Sequence, residues 1–354
     1  MGLMFEDLLH GWSGEEVVVR FDAPSSTWMF ICIHSTVRGP AGGGTRMRVY
    51  PTPGDGLADA MRLSAAMTQK MAVAGAPFGG GKAVLAVPEL PEGEARRALL
   101  LRYGELVASL GGTFRTAADM NTSADDMDVI AERTQYVYGR TEAHGGGGDS
   151  GVGTARGVFH GIRASFGHAF GTDDLAGRTV LVQGVGSAGG RVAQLLSESG
   201  ARVLVSDLDR ELAGEVAARI GAEVVEPAEA IGAECDVFAP CAVGGILTAE
   251  SIPHLRCRIV AGSANNQLAT PEDARRLHDA GILYAPDYVI NAGGVLQLLG
   301  LEELGWDAET LERHLAQIGE TLTEIYAAAE SQGVTTEEAA NRLATSRLAT
   351  GSSS

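Results

Sequence analysis

Lys82 closes the run Pro77-Phe78-Gly79-Gly80-Gly81-Lys82, shortly after Lys70, which lies near the end of a strongly helical stretch. Two lysines beside three residues without side chains describe a place where ammonium groups and backbone can close on a small anion. One ammonium can hold a carboxylate, and its charge makes the other easier to deprotonate. A lysine normally titrates near about 10.4, so only a lowered pKa lets it act as a base near neutrality. Asp119, in Thr116-Ala117-Ala118-Asp119-Met120-Asn121-Thr122, is the matching carboxylate. Read alone, it is equally well a turn or helix-cap acid. Beside Lys82 it handles protons and steadies the cations formed when a C–N bond breaks.

These residues must be placed by elements legible nearby. Trp28–His34 is a β-rich apolar run, and Leu57–Ala74 has helical apolar spacing. Ala83–Val87, directly after Lys82, reads as a buried strand. A break follows at His144-Gly145-Gly146-Gly147-Gly148-Asp149-Ser150, the best candidate hinge. Beyond it strands and helices alternate: strands at Thr179–Gln183, Val203–Ser206, Asp236–Ala239, Arg258–Ala261 and Ile282–Ala285, helices at Ala188–Ser199 and Glu211–Ile220. That rhythm predicts a doubly wound parallel sheet. Three helical segments end the chain, at Gly294–Leu304, Ala308–Gln332 and Thr336–Ala349, and Gly351–Ser354 is expected to be disordered. No internal repeat is found. The expected division is a substrate-binding and oligomerisation domain over 1–145 plus the C-terminal helix 335–354. A Rossmann domain spans 146–334, with a cleft between the two.

Gly184-Val185-Gly186-Ser187-Ala188-Gly189 fits G-x-G-x-x-G. Its glycines serve the tight turn, the approach of backbone to a pyrophosphate, and close helix–strand packing. In a chain with 48 glycines the pattern alone is weak, but here it follows a strand and opens a helix, the context it needs. About 20 residues on, the next strand ends at Asp207, where an acid can bind a ribose 2′-hydroxyl. A carboxylate there repels a 2′-phosphate, so NAD is favoured over NADP, although Arg210 nearby weakens the preference.

Several motifs together resemble the amino-acid dehydrogenase family of the glutamate, leucine, valine and phenylalanine enzymes. They are Gly43-Gly44-Thr45-Arg46, Met67-Thr68-Gln69-Lys70, Gly79-Gly80-Gly81-Lys82, Asp119-Met120-Asn121-Thr122, Phe238-Ala239-Pro240-Cys241-Ala242, Ala264-Asn265-Asn266 and Ile290-Asn291-Ala292-Gly293-Gly294. The likeness is collinear from about residue 16 to residue 348. It implies reversible conversion of an L-amino acid, NAD⁺ and water to a 2-oxo acid, ammonium and NADH. By that resemblance Lys70 binds the substrate carboxylate, helped by Gly43, Gly44 and Asn265. Lys82 is the general base toward water and the carbinolamine, and Asp119 binds the amine and relays protons. Thr154 holds the nicotinamide carboxamide and Asn291 lies beside the nicotinamide ribose. Leu208 and Asn266 fall with Asp207, Arg210 and the Pro240-Cys241-Ala242 stretch in the cofactor groove. One departure is Gly151-Val152 before Thr154, where the branched-chain enzymes carry Ser-Pro.

Substrate choice turns on Gly42. Glutamate-specific relatives place a lysine there, so an apolar side chain is expected here. The leucine enzymes carry a leucine at that position and the phenylalanine enzymes a small residue. The space lost by an isobutyl group is worth about 2 kcal/mol of apolar contact to an aromatic ring. Asp119–Thr122, Thr134–Arg140, Leu304-Gly305-Trp306 and Leu298 resemble the actinobacterial phenylalanine enzymes, whereas Val295 resembles the leucine and valine enzymes. Met67, Ala117, Val295 and Leu298 are expected to line the pocket. L-Phenylalanine is the favoured substrate, with leucine or valine the alternative.

Other readings are weaker. A P-loop fails because Ala76 stands where its first glycine belongs and Ala83 follows Lys82. Cys241 lacks a histidine in a partnering motif and reads as a groove thiol. The alanine-rich C-terminal helices hold no sustained heptad. A catalytically silent dinucleotide sensor would have no need to keep Lys70, Lys82 and Asp119 together. An amine dehydrogenase would leave Lys70 and Asn265 facing nothing.

The 354 residues are 45% hydrophobic and 20% charged, enough for two cores. A formal charge of −18 argues against nucleic acid or anionic membrane as partners. Neither a basic, apolar leader nor an apolar run of about 18 residues is present, so no membrane span is expected. Glu6 spoils the myristoylation pattern that Met1-Gly2 begins. Cys32, Cys235, Cys241 and Cys257 read as reduced cytosolic thiols. The eight histidines show no metal-ligand spacing, and no metal is expected. The expected partners are the amino acid, the 2-oxo acid and ammonium, in a cytoplasmic homo-oligomer.

Overall fold

The computed structural model describes residues 5–351; the expectations about Met1-Gly2 and Ser352–Ser354 lie outside them. The chain divides at Gly148/Asp149. Asp149–Gln297 and Trp306–Leu343 form the second unit, while Leu298–Gly305 and the chain from Ala344 onward return to the first. The C-terminal helix, expected to join the first unit from residue 335, is thus divided within its length. Among the described residues no helix is long and apolar enough to cross a membrane.

In the first unit, α1 (Phe5–His10), β1 (Glu16–Asp22), β2 (Thr27–Ser35), β3 (Ala41–Arg48), α2 (Pro53–Val73), β4 (Gly79–Ala86), α3 (Gly93–Ser109), β5 (Phe114–Ala118) and α4 (Ala124–Ala131) follow in order. The strands pair as β1-β2-β4-β3-β5. β1 and β2, and β2 and β4, run antiparallel, whereas β3 lies parallel to both β4 and β5. Helix α2 starts on a capping box: Thr52 accepts from the Asp55 amide while Asp55 accepts from the Thr52 amide. Pro53 occupies its first turn, where no amide donor is required.

Glycines 79–81 and Lys82, expected to precede a strand beginning at Ala83, are instead the first half of β4. A Cβ at Gly79 would fall 1.8 Å from the Ser35 carbonyl oxygen, and one at Gly80 2.1 Å from the Thr68 amide nitrogen. The glycines therefore let β4 press against α2 and the chain around Ser35, rather than face a ligand. Because strand side chains alternate, Ala83, Leu85 and Val87 enter the core with Met29, Ile31, Tyr103 and Phe114. Val84 and Ala86 join Phe30, Leu57 and Met61 on the opposite face, and Lys82 shares that second face. The register pairs Gly42 with Gly80, Gly44 with Ala117 and Arg46 with Val84. Gly42, Gly44, Arg46, Gly80, Lys82 and Ala117 thus occupy one face of the sheet.

The second unit holds α5 (Gly151–Phe170), β6 (Thr179–Gln183), α6 (Ser187–Glu198), β7 (Arg202–Ser206), α7 (Arg210–Ile220), β8 (Glu223–Val224), β9 (Val237–Pro240), β10 (Ile259–Val260), α8 (Glu272–Asp279), β11 (Leu283–Tyr284), α9 (Asp287–Ile290) and α11 (Ala308–Gln332). Two helices cross the division: α10 (Gly293–Glu302) and α12 (Thr336–Gly351). Gly351, expected to be disordered, closes α12. All strand pairs are parallel, in the order β11-β10-β9-β6-β7-β8. This is the Rossmann order, and the direction of winding reverses between β6 and β9.

Candidate active site

In the first unit Lys82 is 5% exposed, and its Nζ lies 3.1 Å from Asp119 Oδ2. The same carboxylate oxygen receives Arg46 Nε at 2.9 Å. Arg46 Nη1 continues to Asp59 Oδ2 at 2.9 Å, which also accepts from the Tyr50 hydroxyl at 2.7 Å. Burial pushes the Lys82 pKa down; Asp119 opposes this and Arg46 adds to it, leaving the ammonium below its ordinary value. Burial favours a neutral Asp119, but the Lys82 and Arg46 cations outweigh it and keep the carboxyl below the usual range. A buried lysine with a lowered pKa and one shared counter-anion is equipped to give and take protons.

Asp119 owes its place to its motif. Thr122 Oγ1 accepts from the Asp119 amide at 2.8 Å and donates to the Thr45 carbonyl at 2.8 Å. Asn121 sits in the left-handed region, at φ 59°, and donates to the Met47 carbonyl. Gly44 admits the turn, since a Cβ there would lie 2.8 Å from the Asp119 Cβ.

Lys70 occupies the last turn of α2, half-buried, with Met67 one turn earlier on the same side. Gly42 is not beside open space: a Cβ there would meet the Met71 methyl at 3.1 Å and the Tyr138 hydroxyl at 3.4 Å, with Phe78 at 4.0 Å. The sequence reading placed none of Met71, Phe78 and Tyr138 beside Gly42, although Phe78 and Tyr138 lie within runs that it quoted. Leu298 and Ala117 meet around Gly139, whose added Cβ would lie 3.4 and 3.9 Å from them. Glu302, one turn beyond Leu298 on α10, accepts from the Gly139 amide at 3.0 Å and the Gly147 amide at 2.8 Å. Arg46 and Glu302 were also missed. Arg46 was quoted within a motif, and only the register of β3 shows that it shares a face with Lys82.

In the second unit the glycine turn lies at the end of β6. Gly184 takes φ 91°, and a Cβ there would sit 2.5 Å from the Ala242 Cβ. A Cβ at Gly189 would fall 1.9 Å from the Gly184 carbonyl oxygen and 2.9 Å from the Cys241 Cβ. The Cys241 amide donates to the Gln183 carbonyl at 2.6 Å, so the Pro240-Cys241-Ala242 stretch lies against the turn where the winding reverses. A Cβ at Gly186 would meet nothing within 4 Å, and Gly186 caps α6 without a side-chain bond. Open space before uncapped amides at a helix N-terminus fits a pyrophosphate. Ala188 lies in the first turn of α6, and the Ser187 hydroxyl donates to Asp149 at 2.7 Å.

Asp207 accepts from the Val185 amide at 2.8 Å, next to an 87% exposed Leu208. Arg210 is paired with Glu226 at 2.6 Å. Thr154 donates to the Ser150 carbonyl and stands against Gly294. Asn291 is buried, and its Nδ2 donates to Asn265 Oδ1 at 2.7 Å; Asn266, at φ 52°, follows in that loop. Val295 is half-buried on the second-unit part of α10. Burial pushes the Cys241 thiol pKa up, which disfavours the thiolate a nucleophile needs.

A Rossmann sheet with an open glycine turn, together with a buried lysine paired to a half-buried aspartate at the edge of a separate sheet, has the parts of an oxidoreductase that takes a dinucleotide. The model "Glu/Leu/Phe/Val dehydrogenase, dimerisation domain" matches residues 23–136, and "Glutamate/Leucine/Phenylalanine/Valine dehydrogenase" matches residues 206–353. The chain is 40% identical to leucine dehydrogenase of Geobacillus stearothermophilus over 336 residues, 95% of this chain and 91% of that one. It is 41% identical to phenylalanine dehydrogenase of Bacillus thermotolerans over 339 residues, covering 94% and 88%. The crystal structure of L-tryptophan dehydrogenase from Nostoc punctiforme superposes with a TM-score of 0.87 at 39% identity, over 99% of this chain and 100% of that one. The chain belongs to the Glu/Leu/Phe/Val dehydrogenase family. It is an amino-acid dehydrogenase, an oxidoreductase acting on CH–NH2 donors, in a family of NAD-dependent enzymes.

Proposed function

We propose that the chain catalyses the reversible oxidative deamination of an apolar L-amino acid, with L-phenylalanine as preferred substrate. Amino acid, NAD⁺ and water give 2-oxo acid, ammonium, NADH and a proton. The observation that carries the reading is the 3.1 Å pair of buried Lys82 and Asp119. NAD⁺, when bound, accepts the hydride from the α-carbon. Lys82, its pKa lowered by burial, takes a proton from the water that attacks the resulting imine carbon, then returns it as the carbinolamine collapses. Asp119 holds the departing amine and keeps Lys82 oriented. Lys70 takes the substrate carboxylate. Met67, Ala117 and Leu298, with the Met71, Phe78 and Tyr138 that crowd Gly42, are the first unit's contribution to the apolar side-chain pocket, and Val295 is the residue assigned to it from the second unit. The Gly184–Gly189 turn holds the pyrophosphate, Asp207 the adenosine ribose, and Thr154 and Asn291 the nicotinamide end.

Support for an aromatic substrate is the tryptophan enzyme's likeness along the whole chain; the smallness of residue 42 adds nothing to it, because Met71, Phe78 and Tyr138 occupy the space beside it. The leucine relative and Val295 favour the alternative, a branched-chain substrate. The match of residues 23–136 to a dimerisation domain supports a homo-oligomer built through the first unit. There β1 presents Val19 and Phe21, 43% and 49% exposed, on an edge strand. The test is NADH formation across the twenty amino acids at alkaline pH, with NAD⁺ and NADP⁺ in parallel. The reading expects the highest kcat/KM with phenylalanine and NAD⁺. A leucine or valine optimum replaces the substrate, and no turnover of any amino acid overturns the reading.

A further inference from the structure

Gln267 is fully buried, yet neither the motif resemblance nor the chemistry above uses it. Its Nε2 donates to two backbone carbonyls of the loop leaving β10, Gly262 at 2.9 Å and Ala264 at 3.0 Å. Its own amide donates to Asp287 Oδ2 at 2.8 Å, at the start of α9. Its Oε1 is buried without a hydrogen-bond partner. Burying an unpaired carbonyl oxygen is costly, so an apolar residue of similar size would be the cheaper choice if packing were all that mattered. What it would lose is the pair of donors that ties Gly262 to Ala264.

That loop is the platform on which Asn291 is oriented. Asn291 Nδ2 donates to the Ser263 carbonyl at 3.2 Å and to Asn265 Oδ1 at 2.7 Å. Ser263 lies between the two carbonyls that Gln267 holds, and Asn265 follows directly. Asn291 is also the residue after α9, which begins at Asp287. Both attachments of Asn291, through its side chain and through its helix, therefore lead to Gln267.

We infer that Gln267 is a positioning residue of the cofactor half: it clamps the 262–265 loop so that Asn291 is presented in one orientation to the nicotinamide ribose. The inference rests on the proposed role of Asn291. Gln267 is fully buried and its side-chain donors are taken by backbone, so in this proposal it acts through Asn291 rather than on a ligand directly.

The test is NADH affinity measured by fluorescence titration of the full chain without substrate, for Gln267→Met, Asn291→Ala and the double variant. Gln267→Met keeps the volume and removes the donors. We expect Asn291→Ala to weaken NADH binding about tenfold, Gln267→Met about fivefold, and the double variant no more than Asn291→Ala alone, because both changes act on one contact. Unchanged affinity in Asn291→Ala refutes the role of Asn291 itself. Weakening in Asn291→Ala with unchanged affinity in Gln267→Met, or losses that multiply in the double variant, overturns the clamp. If Gln267→Met does not fold, Gln267→Asn, too short to reach both carbonyls, serves with the same criteria.

Discussion

The Lys82 ammonium and the Asp119 carboxylate lie 3.1 Å apart, and Arg46 reaches the same oxygen from the other side. One anion is thus shared between two cations that both lower its pKa, while that anion and Arg46 act on the lysine in opposite directions. Asp119 draws the proton onto Lys82, while Arg46 and burial drive it off.

That opposition gives two pH profiles of opposite sign. Asp119→Asn removes the charge that raises the Lys82 pKa, so the acid limb of kcat/KM moves to lower pH, with kcat reduced at least a hundredfold through loss of the relay. Arg46→Met removes a charge that lowers it, and the limb moves to higher pH. Rate–pH profiles of both variants decide this. Shifts in the same direction would mean that another group sets the limb.

Two glycines should respond to alanine in different ways. Gly80→Ala drives a Cβ to 2.1 Å from the Thr68 backbone and should cost about 2–3 kcal/mol or more of stability by overpacking. Gly186→Ala meets nothing within 4 Å and should leave the melting temperature unchanged while weakening NADH binding, since it fills the approach to the α6 amides. Urea unfolding and fluorescence titration separate the two effects.

The Gly80 contact also shows why the fold and the site were unequally legible. β6 and α11 coincide with the spans read from the sequence because their periodicity is uninterrupted and their ends carry turn or cap residues. β3 and the first half of β4 carry three glycines each, and glycine has low strand propensity. Their strand character comes from close packing against α2 and neighbouring strands, which local pattern does not encode. Lys82 and Asp119 were found by type and motif. Arg46, Tyr138 and Gln267 were not, because what marks them is register and burial. Cys235 and Cys257, unremarkable in sequence, stand in register two residues before the neighbouring parallel strands β9 and β10, as the flanking Glu234–Arg256 bridge and the Val237–Ile259 pair require.

Residue 42 tests the substrate assignment. A leucine there must displace the Met71 methyl and the Tyr138 hydroxyl, 3.1 and 3.4 Å from the first added carbon. Gly42→Leu should therefore cost about 1–3 kcal/mol of stability and shift the kcat/KM ratio from phenylalanine toward leucine. An unchanged ratio in a folded variant would place residue 42 outside the pocket.

Glu337, at the start of α12, has its carboxyl pushed up to about 7 by burial and by the neighbouring Asp287 charge, partly offset by Asn341. A carboxyl raised in the folded state favours folding while protonated. Its contribution is fullest below about 4.5, the unfolded value, and is lost as pH rises to about 7. Glu337→Gln should thus match the parent at pH 4 and exceed it at pH 8 by up to about 3 kcal/mol. Urea midpoints at the two pH values check it; equal differences at both would refute a buried ionisation.

The most direct measurement is turnover and NADH affinity of Lys82→Ala side by side. A general base acting in the chemical step predicts a kcat reduced by three orders of magnitude or about that, with NADH bound as in the parent. A kcat within tenfold of the parent would show that Lys82 is not the base.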